Sequence, residues 1–78
     1  MQQFYVRFHS SKDVQDFIAW AALQPFTLAV GDDSYHVSGS SFMAMFTLDH
    51  SRPLRVSVSC EDAEFSRLLR EAERFLAI

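Results

Sequence analysis

Cysteine, glycine and proline are nearly missing from this chain: its 78 residues hold one cysteine, two glycines and two prolines. A lone Cys60 cannot close an internal disulfide, and no second sulfur or histidine stands near it at metal-ligand spacing, so the fold must rest on its core and not on staples or zinc. With so little glycine and proline there is no linker, repeat or low-complexity tract, and one domain over residues 1–78 is expected. Long apolar runs are absent as well. The longest, Phe17 to Leu23 and Phe42 to Phe46, fall far short of the roughly 20 residues that cross a bilayer, and Met1-Gln2-Gln3-Phe4 has no basic leader region. The expectation is a cytoplasmic protein with no membrane partner. Basic residues are in deficit, 7 against 10 acids for a net charge of −3, which argues against nucleic acid because neutralising phosphates takes a concentrated basic face.

What the chain does have is apolar residues, 49% of the total, placed at regular intervals. Phe4, Val6 and Phe8 alternate with Tyr5, Arg7 and His9, the period of a strand with one buried face, which predicts a first strand over Gln3 to His9. Ser10-Ser11-Lys12-Asp13 reads as a capping box, with Ser10 accepting from the Asp13 amide and the Asp13 carboxylate reaching back to the Ser10 amide. Val14, Phe17, Ile18, Ala21 and Ala22 then recur at helical spacing to about Leu23, and Pro25 stops the helix. Phe26, Leu28 and Val30, the turn Gly31-Asp32-Asp33-Ser34, and Tyr35 and Val37 predict a hairpin. A short helix over Ser41 to about Leu48 follows, then a loop over Asp49 to Pro53 and a fourth strand in which Leu54, Val56, Val58 and Cys60 alternate with Arg55, Ser57 and Ser59. Phe65, Leu68, Leu69, Ala72, Phe75 and Leu76 form the stripe of a last helix whose first turn carries Glu61, Asp62 and Glu64, matching the positive end of the helix dipole. The order β-α-β-β-α-β-α predicts an α+β open-faced β-sandwich, a four-stranded antiparallel sheet with three helices on one face.

The segment Gly39-Ser40-Ser41-Phe42-Met43-Ala44-Met45-Phe46-Thr47-Leu48 stands out within that order. A serine at a helix entrance, followed at once by large apolar side chains, makes a place to accept phosphate beside a surface on which a partner can dock. Phe42, Met43, Met45 and Phe46 cannot all face inward on one short helix, and methionine suits adaptable contacts. Core packing for the apolar residues and a plain N-cap for Ser40 or Ser41 are the alternatives.

In element order and apolar spacing nearly the whole chain resembles the HPr-like phosphocarrier family of bacteria. The pattern runs from Phe17 and Ile18 of the first helix, through the serine, apolar pair and short helix ending in Thr47-Leu48, to the strand before Glu61-Asp62-Ala63-Glu64 and the terminal helix. The resemblance implies transfer of a phosphoryl group by a histidine in a Gly-Leu-His-x-Arg-Pro motif, which this chain lacks. With Phe17 kept in register, Ser10 occupies the phosphohistidine position, Lys12 that of the arginine and Asp13 that of the proline. A carboxylate at Asp13 would repel an incoming phosphoryl group. Ser41 matches the position at which a regulatory kinase phosphorylates some members of the family.

Three readings follow. In the first, the chain is a degenerate, non-catalytic regulatory or adaptor protein that needs no cofactor. It binds partner proteins of a phosphotransferase or regulatory system through Phe42, Met43 and Phe46, under control of phosphorylation at Ser41. In the second it is a phosphocarrier of the phosphoenolpyruvate-dependent sugar phosphotransferase system with His9 as acceptor. In the third it is an interaction domain with neither phosphorylation site. His36 and His50 read as unpaired surface histidines with no second and third ligand at coherent spacing, so no metal is expected. Cys60 reads as a small buried hydrophobe, Arg67, Arg70 and Arg74 as a solvated face of weak ion pairs, and Trp20 as a partly exposed ring off the main stripe.

Overall fold

Alternation sends Phe4 and Val6 to one side of the first strand and Gln3 and Tyr5 to the other. The computed structural model, which describes residues 1–32 and 34–77, buries the first pair and exposes the second. This strand, β1 (Gln2–Val6), leads into α1 (Ser11–Ala22), β2 (Ala29–Gly31), β3 (His36–Ser38), α2 (Phe42–Met45), β4 (Leu54–Val58) and α3 (Asp62–Glu71), with a 3-10 turn over Glu73–Phe75. The strands form one antiparallel sheet in the order β1-β4-β2-β3, and the helices cover one of its faces. The expected α+β open-faced sandwich is the observed fold. Of the hairpin turn, Asp33 lies outside the described residues.

Between the two layers, Phe17 of α1 is fully buried against Phe8 at 5.3 Å and Phe75 at 5.5 Å between ring centroids, both edge to face. Val6, Val30, Val56, Met45 and Leu68 close the core around them. Edge-to-face contact sets the positive rim of one ring against the negative face of the next. Trp20 is half-buried, tilted against Phe17 at 5.5 Å, and its indole N–H donates to Glu71 Oε1 at 2.9 Å, which ties α1 to α3. That bond, ahead of Arg67, holds the Glu71 carboxyl below its ordinary pKa.

Several elements are shorter than their patterns predict. β1 ends at Val6, although Phe8 remains buried, and β2 and β3 narrow to three residues each. β4 stops before Ser59 and Cys60, which leaves Cys60 half-buried at a strand exit. Burial first, then Glu64 and Asp62, push the Cys60 thiol pKa up. The largest departure is at the last helix, where the apolar stripe continues through Phe75 and Leu76 but α3 ends at Glu71. The chain tightens into the 3-10 turn, Phe75 enters the aromatic cluster, and Leu76 forms an antiparallel bridge with Val6. The Arg7 N–H donates to the Phe75 carbonyl at 2.8 Å and the Ala77 N–H to the Tyr5 carbonyl at 3.0 Å. Pairing with the β1 edge satisfies backbone groups that another helical turn would leave open to solvent, so tertiary contact overrides the local helical period.

Candidate functional site

A tight turn sets up α2. Gly39 is buried, its N–H donates to the Leu28 carbonyl at 2.6 Å, and a Cβ there would stand 3.0 Å from that same oxygen, so the chain passes close to β2 before it turns. The Ser41 N–H then donates to the Ser38 carbonyl at 3.1 Å, and the Met45 N–H to the Ser41 carbonyl at 2.9 Å. With four residues, α2 is half the length its sequence predicts. The turns that follow Met45 are secured from two sides. Thr47 Oγ1 donates to the Ala44 carbonyl at 2.6 Å, and His50 Nε2 donates to the Met45 carbonyl at 2.8 Å. A carbonyl can only accept, so this bond fixes the proton on His50 Nε2.

This geometry divides the apolar residues of the segment. Met45 is fully buried, whereas Phe42 is 53% exposed, Met43 78% and Phe46 39%. Phe42 and Phe46, one helical turn apart, hold their rings 5.0 Å from each other, and the His50 ring lies 6.0 Å from Phe46 and 5.7 Å from Phe8. His50 is therefore a half-buried wedge between this patch and the core, not the unpaired surface histidine its loop position suggests. Ser41 stands at the N-cap position, but its side chain makes no capping hydrogen bond, and Ser40 Oγ pairs instead with Ser38 Oγ at 3.1 Å. Neither serine performs the capping role that would account for it. Beyond the patch, the Asp49 carboxylate accepts from the hydroxyl and the amide of Ser51 and from Arg52, in that order of effect, and its pKa is held below the ordinary value.

The entrance of α1 departs from the predicted capping box by one residue. Ser10 Oγ accepts from the Asp13 amide at 3.2 Å as expected, but Asp13 Oδ2 accepts from the amide of His9 at 3.0 Å and not from that of Ser10. Arg74 takes the other oxygen, Oδ1, at 2.8 Å, and reaches Asp16 Oδ2 at 3.0 Å with its second terminal nitrogen. The fork of one guanidinium thus clamps the C-terminal turn to two carboxylates of α1. Lys12 and Arg74 hold the Asp16 pKa below its ordinary value of 3.8. Arg74 is exposed, as the solvated arginine face predicts, but its ion pairs run across to α1, while Arg67 pairs within α3 with Glu71 at 3.0 Å.

His9 is exposed at the end of the β1 segment, far along the chain from Ser41, and Ser10 is committed to the α1 cap. His36 is exposed, and its Nε2 accepts from Arg55 Nη2 at 3.3 Å over Gly31, which has no side chain to intervene. Among the described residues no group of three or more His, Cys, Asp or Glu is placed to hold a metal ion, and no helix is long and apolar enough to cross a membrane. A cleft on the open side of the sheet, lined by Tyr5, Arg7, His9, Pro53, Leu76 and Ala77, went unread in the sequence. The outward alternation of Tyr5, Arg7 and His9 signals its floor; its Leu76–Ala77 wall carries no signal, because those residues continue a helical stripe. No protein-family model matches this chain, and no curated protein matches it.

Proposed function

We propose that this chain is a non-catalytic regulatory or adaptor protein of the HPr-like kind, acting in the cytoplasm and docking partner proteins through α2. One observation carries the reading: three of the four large apolar side chains in the Phe42–Phe46 segment face solvent while the fourth anchors the segment in the core. The apolar surface these side chains leave exposed gains free energy when a partner covers it, at about 25 cal/mol for each Å². Met43, unbranched and polarisable, adapts to an irregular partner surface, and the paired Phe42 and Phe46 rings supply a firm anchor. The partner chemistry this fits is a protein with an apolar groove.

Ser41 supplies the control. The residue is half-buried beside Phe42 and its side chain makes no capping bond, so phosphorylation removes no cap from the fold. A four-residue helix offers only a weak dipole, and the phosphate acts mainly through its charge of about −1.5 to −2. An apolar partner closing over Phe42 would have to desolvate that charge, so modification weakens docking. The absence of the Gly-Leu-His-x-Arg-Pro motif, with Ser10 spent on the helix cap, supports a non-catalytic protein over a phosphocarrier.

The test places a photoreactive amino acid at Met43 and, as a control, at the exposed Leu23 in growing cells. The expected result is an adduct from position 43 and none from position 23, and the purified adduct partner should bind at least about tenfold more weakly to Phe42→Ala/Met43→Ala than to the parent chain. Equal binding by the two chains would overturn the reading. Incubation with phosphoenolpyruvate and the first enzyme of the phosphotransferase system is a second test: acid-labile phosphate on His9 would favour the phosphocarrier instead.

A further inference from the structure

The outward residues of the β1 segment form a second arrangement, which shares no residue with the α2 patch. Tyr5, Arg7 and His9 face the open side of the sheet, Pro53 stands on one flank, and Leu76–Ala77, fastened by the bonds of Ala77 to Tyr5 and of the preceding Phe75 to Arg7, stands on the other. The cleft between them has a volume of about 590 Å³, within the range of roughly 300–1,000 Å³ common to small-molecule sites. Its lining has two characters. Tyr5, Pro53, Leu76 and Ala77 offer an aromatic face with apolar walls, while Arg7 and His9 offer donors, and no acidic residue is among the described lining residues of a chain whose net charge is −3. Arg7 is already steadied, since its Nη2 donates to the Ser51 carbonyl at 3.1 Å, and that bond uses one of the five N–H donors of a guanidinium.

We propose that this cleft binds a small organic anion of the nucleoside monophosphate class, with its flat ring on Tyr5 between Pro53 and Leu76 and its phosphate on Arg7 and His9. Tyr5 lies in β1 and Arg7 just beyond its end, so two extended residues place their backbones roughly 6.6 Å apart, and the long arginine side chain extends the reach further. A ring and a phosphate joined through a sugar span that separation. The same surface disfavours a polyanion. From Tyr5 and Pro53 it continues past Asp32 with Arg55, and then past Asp49 with Arg52, so beyond the cleft each cation stands beside a carboxylate and the described residues offer no run of basic side chains for the next phosphates of a nucleic-acid strand.

The experiment titrates the full ¹⁵N-labelled chain with adenosine monophosphate, adenosine, inorganic phosphate and a short oligoadenylate, and follows the backbone amides. The expected result is saturable shifts at Tyr5, Arg7, His9 and Ala77 with adenosine monophosphate, and binding at least about tenfold weaker for adenosine or phosphate alone. Arg7→Gln should weaken the monophosphate about tenfold, and Tyr5→Leu should weaken it as well, with the spectrum of each variant still that of the folded protein. Absence of saturable shifts, shifts centred elsewhere, equal affinity in Arg7→Gln, or tighter binding of the oligonucleotide would each overturn the proposal. Failure here leaves the α2 reading untouched, because neither experiment perturbs a residue of the other site.

Discussion

Truncating Phe17 to alanine tests the packing that holds α2 and the sheet in place. The ring is fully buried and makes edge or tilted contacts with Phe8, Trp20 and Phe75 at 5.3 to 5.5 Å. Removing a buried phenylalanine costs about 3–5 kcal/mol, the transfer term plus the cavity. The surroundings can collapse little here, because two of the neighbours are themselves rings fixed by further packing, so the expected loss is about 4 kcal/mol. At about 0.05–0.15 kcal/mol per residue, a chain of 78 residues has a total stability of about 4–12 kcal/mol. Phe17→Ala therefore removes a third or more of it. Trp20, the only tryptophan, lies against Phe17 and reports unfolding by fluorescence. With a urea slope of about 1 kcal/mol/M, the midpoint should fall by about 4 M, or the variant should be unfolded without denaturant. Phe17→Leu, which keeps most of the volume, should lose about 1–1.5 kcal/mol. Phe42→Ala, the same substitution on the exposed patch, should lose no more than about 0.5 kcal/mol. A loss below about 1 kcal/mol for Phe17→Ala, or comparable losses for Phe17→Ala and Phe42→Ala, would refute the division between core and surface described above.

Other consequences can be read from single positions. In Gly31→Ala the new methyl would overlap the Tyr35 carbonyl oxygen and stand 2.8 Å from His36 Cα, all backbone, so the β2–β3 hairpin should open at a cost of at least about 3 kcal/mol, seen as lost amide protection in both strands. Gly39→Ala meets its neighbours at 3.0 to 3.3 Å and should cost about 1 kcal/mol by the same measurement. The Asp16 carboxyl is held low by Lys12 and Arg74, so its stabilisation is complete above the unfolded pKa and fades as pH falls below about 4. Arg74→Gln should thus lower stability at neutral pH, with a gap to the parent chain that narrows in acid; a gap of constant size in urea titrations across that range would contradict the clamp. Cys60, its thiol pKa raised by burial and by Glu64 and Asp62, should react with iodoacetamide more slowly than glutathione at pH near 8, and Glu64→Gln should speed it up. A faster reaction than glutathione would be the contrary result.

Much of the fold was legible because its cause is local. Phe4, Val6 and Phe8 alternate, Val14, Phe17, Ile18 and Ala21 repeat at helical spacing, and Ser10 caps α1, each as a consequence of neighbouring residues alone. What escaped the sequence was set across the chain. The placement of β4 between β1 and β2 buries Ser57, flanked by Gln3 and Ala29, although alternation puts it on the open face. Nothing in Leu69 to Leu76 marks a helix end; α3 stops because Phe75 has a place among Phe8 and Phe17, and Leu76 pairs with Val6. Arg74 acquires its carboxylate partners through the same turn. At the candidate site, crowding on one short helix was enough to foresee that some apolar residues face out, and the register of α2 decided which. The role of His50 could not be read, since its carbonyl partner exists only once α2 has closed. The open-side cleft needed the Leu76–Ala77 wall, and so the unforeseen helix end.

The most direct test of the docking surface uses two methionines that differ by two positions, Met43 exposed and Met45 fully buried. Brief peroxide oxidation of the free chain, read residue by residue by mass spectrometry, should convert Met43 rapidly and spare Met45, and saturating amounts of the partner identified by crosslinking should protect Met43. Equal oxidation of the two residues in the free chain, or a Met43 that stays fully reactive in the complex, would contradict the account.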